Sequence, residues 1–468
     1  MRNSTKSLKK GKEYELTISD LAFGGKGFAR IDDFAVFVDQ AIPQDVVKVC
    51  VVKKKKNFAE ARIVEMVTPS PLRIEAPCPY SGNCGGCKWQ HLPYDLQLEY
   101  KRRHVKESLE HIGNIRDVRI NSPLPSLMIF GYRNKMEFSC SDRKWLLPEQ
   151  MDSENLDTGF AIGLHVPGTF YKVLDIQACM LQPETGNRIL DDVRRFIKNS
   201  DLPVYGLKSH EGFWRFLMLR HSVFKDEWMV NIITASENRK TVDCLSKLLM
   251  DKYSNVVSVV NNVTSRKAAV AVGEYEIHLG GEPCIKDVIG PYTFEISANS
   301  FFQTNTGAAK GLYDTVVRYA RLTGNETVLD LYSGTGTIPI YISQKAARVV
   351  GMEIIESAVS DAQKNCRLNH IDNCHFIQGD IRTSLPNIDF RPDVMIIDPP
   401  RDGMHKDVVK QVLDMAPEKI VYVSCNPSTL ARDLALMKDS YNVIEVQPVD
   451  MFPHTFHIES VACLEKII

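Results

Sequence analysis

The sequence predicts a multidomain α/β protein with an N-terminal OB-like β-barrel, a central α+β domain and a C-terminal doubly wound, Rossmann-like sheet. The 468 residues are enough for about three domains. Short alternating apolar runs broken by glycine fill residues 1–68, which is typical of a small barrel. From about residue 291, short apolar strands alternate with helical stretches, a pattern of parallel sheets. We therefore expect domains at 1–68, 69–290 and 291–468.

The composition is that of an ordinary globular protein, with 44% hydrophobic and 25% charged residues and a net charge of −1. No stretch approaches the roughly 18 apolar residues of a membrane span, and the lysine-rich start has no apolar signal region. We therefore expect a cytoplasmic protein that does not bind membranes. In a reducing compartment, the twelve cysteines indicate metal binding, catalysis or core packing rather than disulfides.

The barrel segment carries its strands in residues 14–18, 35–38, 46–52 and 58–67, and it is positively charged. Residues 1–66 hold 13 Lys and Arg against 9 Asp and Glu, and residues 53–56 are four successive lysines. A charge run is usually a solvated face, but the neighbouring Phe58 favours a nucleic-acid surface. Two prolines within residues 68–71 predict the linker that ends the barrel.

The central segment has one clear helix and several strands. Apolar residues at helical spacing, followed by Gly113, predict a helix over residues 94–112. This helix is a candidate to pack on the C-terminal domain despite its early position. A second helix is predicted over 184–198, and β-branched runs predict strands at 230–234, 256–260 and 268–272.

The first strands of the C-terminal domain end in residues that suit an adenosine-containing ligand. The strand at 327–331 leads through Tyr332 into a turn with Gly334 and Gly336, where the backbone can approach a ligand closely. Nineteen residues after Gly334, the next strand ends at Glu353, whose carboxylate can bind ribose hydroxyls. Asp330 would repel a pyrophosphate, so a cationic ligand, S-adenosylmethionine, is favoured over NAD.

Two later strands end in residues that can carry out catalysis. Asp398 and two prolines follow the strand at 394–397, and Cys425 follows the strand at 420–423. A cysteine at a strand end above a ligand crevice is placed as a nucleophile, and its polar neighbours favour the thiolate. Near the C-terminus, His454, His457 and Glu459 are three candidate bases, and the residues alone do not choose among them.

Three cysteines on one loop predict a metal site. Cys78, Cys84 and Cys87 are flanked by prolines and glycines, and three thiolates on a pliable loop make a site for a soft metal. A fourth ligand is required. Spacing alone leaves both zinc and an iron–sulfur cluster open.

Four short motifs together resemble the bacterial RNA (uracil-5-)-methyltransferase family, and most closely its 23S ribosomal RNA branch. They are Ser-Phe-Phe-Gln at 300–303, Asp-Pro-Pro-Arg at 398–401, Ser-Cys-Asn-Pro at 424–427 and His-x-Glu at 457–459. The likeness covers essentially the whole chain in the same order. It implies a class I methyltransferase domain, an N-terminal TRAM barrel and an iron–sulfur cluster.

The resemblance implies a role for each site residue. Cys425 is then the nucleophile and Glu459 the base, and the S-adenosylmethionine contacts come from Gln303, Tyr332, Glu353 and Asp398. Cys179 is the implied fourth ligand of a [4Fe–4S] cluster, with zinc the less favoured alternative. Ser333 stands where several relatives have cysteine, and Thr337 stands where many have asparagine. Neither difference changes the expectation that the backbone at Gly334 can approach a ligand closely.

The chemistry of uracil explains why these roles are needed. C5 is a weak nucleophile, so a thiolate adds to C6 and the resulting enolate takes the methyl group. A base must then remove the C5 proton before the thiolate leaves. The target nucleotide must be unstacked, and Phe301 and Phe302 are either a stacking wall or core aromatics. Nothing in these steps needs an electron, so we expect the cluster to be structural or to help hold RNA.

We therefore expect a monomeric, S-adenosylmethionine-dependent RNA uracil-5 methyltransferase that acts on 23S ribosomal RNA, with transfer RNA as a further substrate to consider. One alternative is an RNA cytosine-5 methyltransferase, which also uses a cysteine. The other is a non-catalytic RNA-binding or ribosome-assembly factor. The joint presence of nucleophile, base and adenosine-binding carboxylate favours an enzyme.

Overall fold

The computed structural model of the protein describes residues 8–32, 34–151, 156, 158–268 and 270–467. Within these ranges the chain forms four β-sheets and ten α-helices. None of these helices combines the length and the apolar character needed to cross a bilayer.

A six-stranded sheet forms the N-terminal barrel. Its strand order is β1-β5-β6-β4-β3-β2, and alternate residues such as Val36, Val38 and Val49 fill its core. Lysines 53–56 are exposed, the first two at the end of one long strand of the barrel and the other two in the turn that leads to the next. The strands are β1 (Glu13–Thr17), β2 (Asp20–Leu21), β3 (Gly27–Ile31), β4 (Phe34–Asp39), β5 (Val46–Lys54) and β6 (Phe58–Thr68).

The central part contains a seven-stranded sheet with the order β10-β9-β8-β11-β12-β13-β14. Helices α3 and α4 pack against it. The helices of this part are α1 (Tyr94–His111), α2 (Pro148–Met151), α3 (Glu184–Lys198) and α4 (Arg239–Lys252). The strands are β7 (Arg119–Ile120), β8 (Lys135–Ser141), β9 (Ala161–His165), β10 (Val173–Asp175), β11 (Trp214–His221), β12 (Trp228–Thr234), β13 (Val256–Val263) and β14 (Tyr275–Gly281).

The strand predicted at 268–272 is wrong, because the described residues of this segment form no strand. The buried guanidinium of Arg215 organises the chain here instead. It donates hydrogen bonds to the carbonyl oxygens of Thr264, Arg266 and Ala268. Since these carbonyls point at one side chain, they are unavailable for a β-ladder.

The C-terminal part is a doubly wound sheet, as predicted, and a separate hairpin that was not predicted is added to it. Its helices are α5 (Thr306–Ala320), α6 (Thr337–Ile342), α7 (Glu356–Leu368), α8 (Ile381–Ser384), α9 (Lys406–Met415) and α10 (Pro427–Met437), with 3₁₀ turns at Ser343–Lys345 and Leu385–Asn387. Its strands are β15 (Ile285–Ile289), β16 (Tyr292–Ile296), β17 (Thr327–Leu331), β18 (Arg348–Glu353), β19 (Cys374–Gln378), β20 (Val394–Ile397), β21 (Lys419–Ser424), β22 (Tyr441–Val449) and β23 (Glu459–Lys466).

The strand order of this sheet is β19-β18-β17-β20-β21-β23-β22-β7. The first five strands are parallel, and β23 runs antiparallel to both of its neighbours. Strand β7 adds to the far edge although it comes from the central segment. The hairpin of β15 and β16 spans the position at which we placed the boundary between the second and third domains.

Helix α1 packs on the C-terminal sheet through its apolar face. Val105 and Leu109 are fully or almost fully buried and lie in the same apolar cluster as Leu430 and Leu434 of α10. The other side of the helix contacts the barrel, where the Nε2 atom of His104 lies 2.8 Å from the carbonyl oxygen of Leu21. The helix therefore joins the two ends of the chain.

Candidate active site

The predicted site residues meet at the carboxyl edge of the parallel sheet. Ser424 of β21 pairs with Ser460 of β23, so Cys425 and Glu459 are adjacent at this edge on neighbouring strands. Asp398 follows β20, which pairs with β21. Open α/β sheets bind their ligands at this edge.

The glycine turn and Glu353 are bound to each other. The backbone N–H of Gly334 donates to Glu353 Oε2 at 3.0 Å, and the N–H of Ile355 donates to Oε1 at 2.9 Å. Tyr332 (φ 66°), Gly334 (φ 52°) and Gly336 (φ 76°) all have positive φ angles, a conformation that is costly for a residue with a side chain such as tyrosine. The carboxylate thus helps to hold a turn that the chain would not adopt by itself.

A cavity of about 230 Å³ opens beside this turn, and Tyr332 and Glu353 line it together with Ile354, Asp380 and Ile381. Ile354 and Asp380 were not predicted from the sequence. A signal for Asp380 was present, because it follows the end of β19 at the same sheet edge, as Asp398 follows β20. The cavity brings a carboxylate, an aromatic ring and apolar side chains to one place.

Gln303 lies in a buried segment between the central sheet and the glycine turn. The Asn134 side chain donates to the Gln303 carbonyl at 2.7 Å, and the Asn134 backbone N–H donates to the Thr304 carbonyl at 2.9 Å. On the other side, the Thr335 hydroxyl donates to the Phe301 carbonyl at 3.1 Å. Phe302 is buried in the core, whereas the Phe301 residue is 65% exposed. Of the two aromatics, only Phe301 is thus free to stack on a base.

Three buried carboxyl groups lie along the edge, and burial raises the pKa of each. The pKa of Asp398 is raised to about 7, and that of Glu459 to about 8 by burial and by the charge of Asp398. Burial, Asp398 and Glu353 raise the pKa of Asp330 well above its usual range, and its Oδ1 has no hydrogen-bond partner among the described residues. Because buried carboxylates need a compensating positive charge, this edge suits a cationic ligand.

The thiolate expected at Cys425 is not favoured by the side chains around it. Burial raises the pKa of the thiol to about 12, and the charges of Glu459 and Asp398 add to this effect, while Arg401 opposes it. The prediction that polar neighbours favour the thiolate was wrong, because burial favours the thiol and the acidic neighbours Glu459 and Asp398 favour it further. A positive charge bound among these carboxylates would favour the thiolate.

The three candidate bases occupy different surroundings. The ring of His454 stacks on Phe130 at 4.3 Å, and the ring of His457 lies against Phe456 at 4.1 Å. Burial lowers the pKa of both histidines to about 4. Of the three, Glu459 is the one whose charge raises the Cys425 pKa.

The four predicted cysteine ligands line one cavity of about 60 Å³. Cys78, Cys84 and Cys87 come from the loop before α1, and Cys179 comes from the segment before α3. Burial raises the pKa of Cys84 to about 11 and that of Cys87 to about 12. Within the described ranges, however, no three His, Cys, Asp or Glu side chains have the spacing of ligands on one metal ion. The fold therefore gathers the four thiols without arranging them around a single point.

Two family models match the chain, one described as tRNA (Uracil-5-)-methyltransferase over residues 286–467 and one as the TRAM domain over residues 7–64. An uncharacterized RNA methyltransferase of Chlorobaculum tepidum is 42% identical over 98% of this chain and 97% of its own length. A second one, from Porphyromonas gingivalis, is 40% identical over 96% of this chain and 99% of its own.

A solved structure is similar along the whole chain. It is the tRNA (uracil-54, C5)-methyltransferase of Pyrococcus abyssi in complex with S-adenosyl-L-homocysteine. The two proteins are 30% identical, the match covers 96% of this chain and 100% of that chain, and the TM-score is 0.75.

A doubly wound sheet with a cavity and buried acids at its carboxyl edge is the architecture expected of an S-adenosylmethionine-dependent methyltransferase. With these relatives over its full length, the chain belongs to the family of S-adenosylmethionine-dependent uracil-5 RNA methyltransferases. The expected family, the TRAM domain, the methyl donor and RNA as the class of substrate are confirmed.

The raised pKa of Glu459 predicts a pH-dependent stability. The folded protein keeps a proton on Glu459 up to about pH 8, whereas the unfolded chain loses it near the ordinary value of 4.5. The folded state binds more protons between these values, so this group makes the protein less stable as pH rises. We expect Glu459→Gln to melt at the wild-type temperature near pH 4 but several degrees higher near pH 9, since about 1 kcal/mol shifts Tm by about 2–4 °C.

Calorimetry of both proteins over this pH range measures the difference. Glu356→Gln is the matched control, because that carboxylate is exposed at the start of α7. An equal difference between wild type and Glu459→Gln at both pH values would contradict a buried carboxyl at this position.

Proposed function

We propose that this enzyme methylates C5 of a uridine in 23S ribosomal RNA, with Cys425 as the nucleophile and Glu459 as the base. One observation carries the assignment of the nucleophile and the base, whereas the choice of 23S ribosomal RNA rests on the resemblance of the sequence motifs to that branch of the family. The pairing of Ser424 with Ser460 puts a thiol and a buried carboxyl on neighbouring strands at the edge where the adenosine-type cavity opens. A nucleophile and a base are thereby available to one bound nucleobase.

The proposed reaction uses the two side chains in turn. The Cys425 thiol first releases its proton to solvent, and the thiolate adds to C6 of uracil. The electron pair of the C5–C6 double bond then forms a bond from C5 to the methyl carbon, the bond between that carbon and the donor's sulfur breaks, and S-adenosylhomocysteine leaves. Glu459 then accepts the C5 proton, the C5–C6 double bond re-forms and the thiolate departs. The pKa of Glu459 is raised to about 8, so this carboxyl must first lose its proton to act as the base. A positive charge bound beside it would favour the carboxylate form.

The methyl donor supplies a sulfonium, which makes its methyl group electrophilic and carries a positive charge. In the proposed complex, Glu353 accepts the ribose hydroxyls, the turn at Gly334 lets the adenosine approach, and Tyr332 flanks it. Asp398 and Gln303 face the methionyl part. The buried acids beside this position would gain the compensating charge that they lack.

The domains have distinct roles in this proposal. Residues 1–68 form an RNA-binding barrel whose lysines 53–56 are exposed, and residues 291–468 carry the chemistry. Residues 69–290 connect these two domains and contain Cys78, Cys84, Cys87 and Cys179. The exposed Phe301 would stack on the target base or its neighbour, since base–aromatic stacking stabilises unstacked nucleotides.

RNA that contains 5-fluorouridine at the target position should trap the enzyme. The adduct then lacks a C5 proton, so neither base nor thiolate can complete the reaction. We expect a denaturation-resistant complex with the wild type and none with Cys425→Ala, and gel electrophoresis with mass spectrometry of the linked peptide identifies the residue.

Glu459→Gln separates the roles of the two residues. With natural uridine this variant should accumulate the adduct and release product about 10²–10⁴-fold more slowly, the usual contribution of a general base. Cys244→Ala is the control, because that thiol is exposed on α4. If Cys425→Ala is trapped by the 5-fluorouridine RNA, the assignment of Cys425 as the nucleophile is wrong. If Glu459→Gln releases product at the normal rate, the assignment of Glu459 as the base is wrong.

The RNA target is tested by comparing two RNAs in one assay. The Pyrococcus abyssi neighbour acts on uracil-54 of tRNA, which makes tRNA the second candidate here. We expect methyl transfer to 23S ribosomal RNA isolated from a strain that lacks this gene, with 5-methyluridine as the product. If only tRNA is methylated, tRNA is the target and the proposal of 23S ribosomal RNA is wrong. If the product is 5-methylcytidine, the enzyme is the cytosine-5 methyltransferase of the alternative.

We further propose that Cys78, Cys84, Cys87 and Cys179 hold a [4Fe–4S] cluster. Four thiols surround one cavity of about 60 Å³, whereas a water molecule needs only about 10–15 Å³, so a group larger than one ion has room. Cysteine-only coordination is typical of such clusters. A single zinc ion would have to draw every sulfur to about 2.3 Å from one point.

Iron analysis tests this proposal without an activity assay. Anaerobically purified protein should contain iron and inorganic sulfide in equal amounts and show cluster absorbance. Cys84→Ala should lose most of both, while Cys244→Ala, which removes an exposed thiol, should keep them. Zinc without sulfide in the wild-type protein would contradict the cluster and support the alternative metal.

A further inference from the structure

The loop that immediately precedes Glu459 is bound by parts of the chain that are far from it in sequence. Residues 450–458, here called the catalytic loop, connect β22 to β23. His454 within it has a positive φ of 64°, an unfavourable conformation for a residue with a side chain. Such a loop keeps one shape only if its surroundings impose it.

Lys101 of α1 makes the first of these contacts. Its ammonium group donates to Asp450 Oδ1 at 2.7 Å and to the Phe452 carbonyl at 3.0 Å. The side chains of Lys101 and Asp450 are both 0% exposed. The same Asp450 oxygen accepts the backbone N–H of Phe452 at 3.0 Å, so one buried ion pair fixes the start of the loop.

Gln97, one helical turn before Lys101, makes the second contact. Its Oε1 accepts the backbone N–H of His454 at 2.8 Å. Its Nε2 donates to the carbonyls of Trp89 and Leu92 at 3.0 and 2.8 Å. A single buried amide therefore joins the middle of the catalytic loop to the segment that follows the cysteine loop.

That segment also contacts the loop directly. The backbone N–H groups of Lys88 and Trp89 both donate to the His454 carbonyl, at 2.9 and 3.0 Å. Lys88 is the residue immediately after Cys87. Both backbone polar groups of His454 are thus satisfied by residues 88, 89 and 97.

We propose that Lys101 and Gln97 are positioning residues that hold the catalytic loop so that Glu459 reaches the C5 proton. This inference rests on the proposed function, because it needs Glu459 to be the base. Cys425 lies outside the catalytic loop, in the connection from β21 to α10. Val105 and Leu109, which pack with α10, lie farther along the helix. Loss of the positioning contacts should therefore slow the step that uses Glu459 and spare the step that uses Cys425.

Two RNA substrates separate these steps. Trapping on RNA with 5-fluorouridine reports thiolate addition and methyl transfer only, because no C5 proton is available. Release of methylated product from natural RNA also requires the base. We expect Gln97→Met to trap 5-fluorouridine RNA at the wild-type rate but to release product about 10²-fold more slowly, since a displacement of about 1 Å can have this effect.

A second variant avoids an unpaired buried charge, which would destabilise the protein. Lys101→Met combined with Asp450→Asn removes both charges and leaves an acceptor for the Phe452 N–H. It should show the same division between the two steps. Lys106→Met is the control, because this lysine lies on the same helix with 62% of its side chain exposed, and it should behave as the wild type.

Each outcome decides the question. Slower product release with unchanged trapping in both variants supports the positioning role. Equal slowing of trapping and of product release would show that the two residues only maintain the fold. Unchanged rates of both would show that the catalytic loop does not need these residues. Either result overturns the inference. If Glu459→Gln itself fails to accumulate adduct, the base assignment under the proposed function is wrong and the inference falls with it.

Discussion

The buried ion pair of Lys101 and Asp450 is the contact on which the arrangement of this molecule depends. The two residues are 349 positions apart, and both side chains are shielded from water. Desolvated charges are tolerated only with good geometry and further hydrogen bonds, which the Phe452 backbone provides. Helix α1 is thereby fixed against the catalytic loop, and through Arg103 and Asp20 it also holds the barrel. The position of the N-terminal barrel relative to the candidate active site follows from this helix.

The electrostatics of the candidate site have one physical origin. Burying Asp330, Asp398 and Glu459 at one sheet edge raises their pKa values. Burial also raises the pKa of the Cys425 thiol, and the charges of Glu459 and Asp398 raise it further. A site of this kind is unfavourable for an anionic ligand and favourable for a sulfonium. In the proposed complex, donor binding and thiol ionisation would be linked, because the same positive charge that compensates the carboxylates would also favour the thiolate.

The fold of the C-terminal part could be predicted from the sequence because the patterns that indicate it are local. An apolar strand that ends in a polar residue or a glycine turn places that residue at the sheet edge, as with Glu353, Asp398 and Cys425. Other features depend on side chains that are distant in sequence. Phe302 is in the core while Phe301 is exposed, and the strand predicted at 268–272 is replaced by a segment bound to Arg215. Neither outcome follows from the pattern of the residues themselves.

The sequence by itself determined the parallel sheet, the three-cysteine loop and the family motifs, because each depends on neighbouring residues along the chain. Only the tertiary structure brought Cys179 into the cavity of the other three cysteines. It also showed that His454 contacts helix α1, whereas the charge of Glu459 raises the pKa of the Cys425 thiol. The ionisation of that thiol was decided by burial and by acids from other strands. Desolvation and charge act through space, so they become visible only when the strands have been assembled.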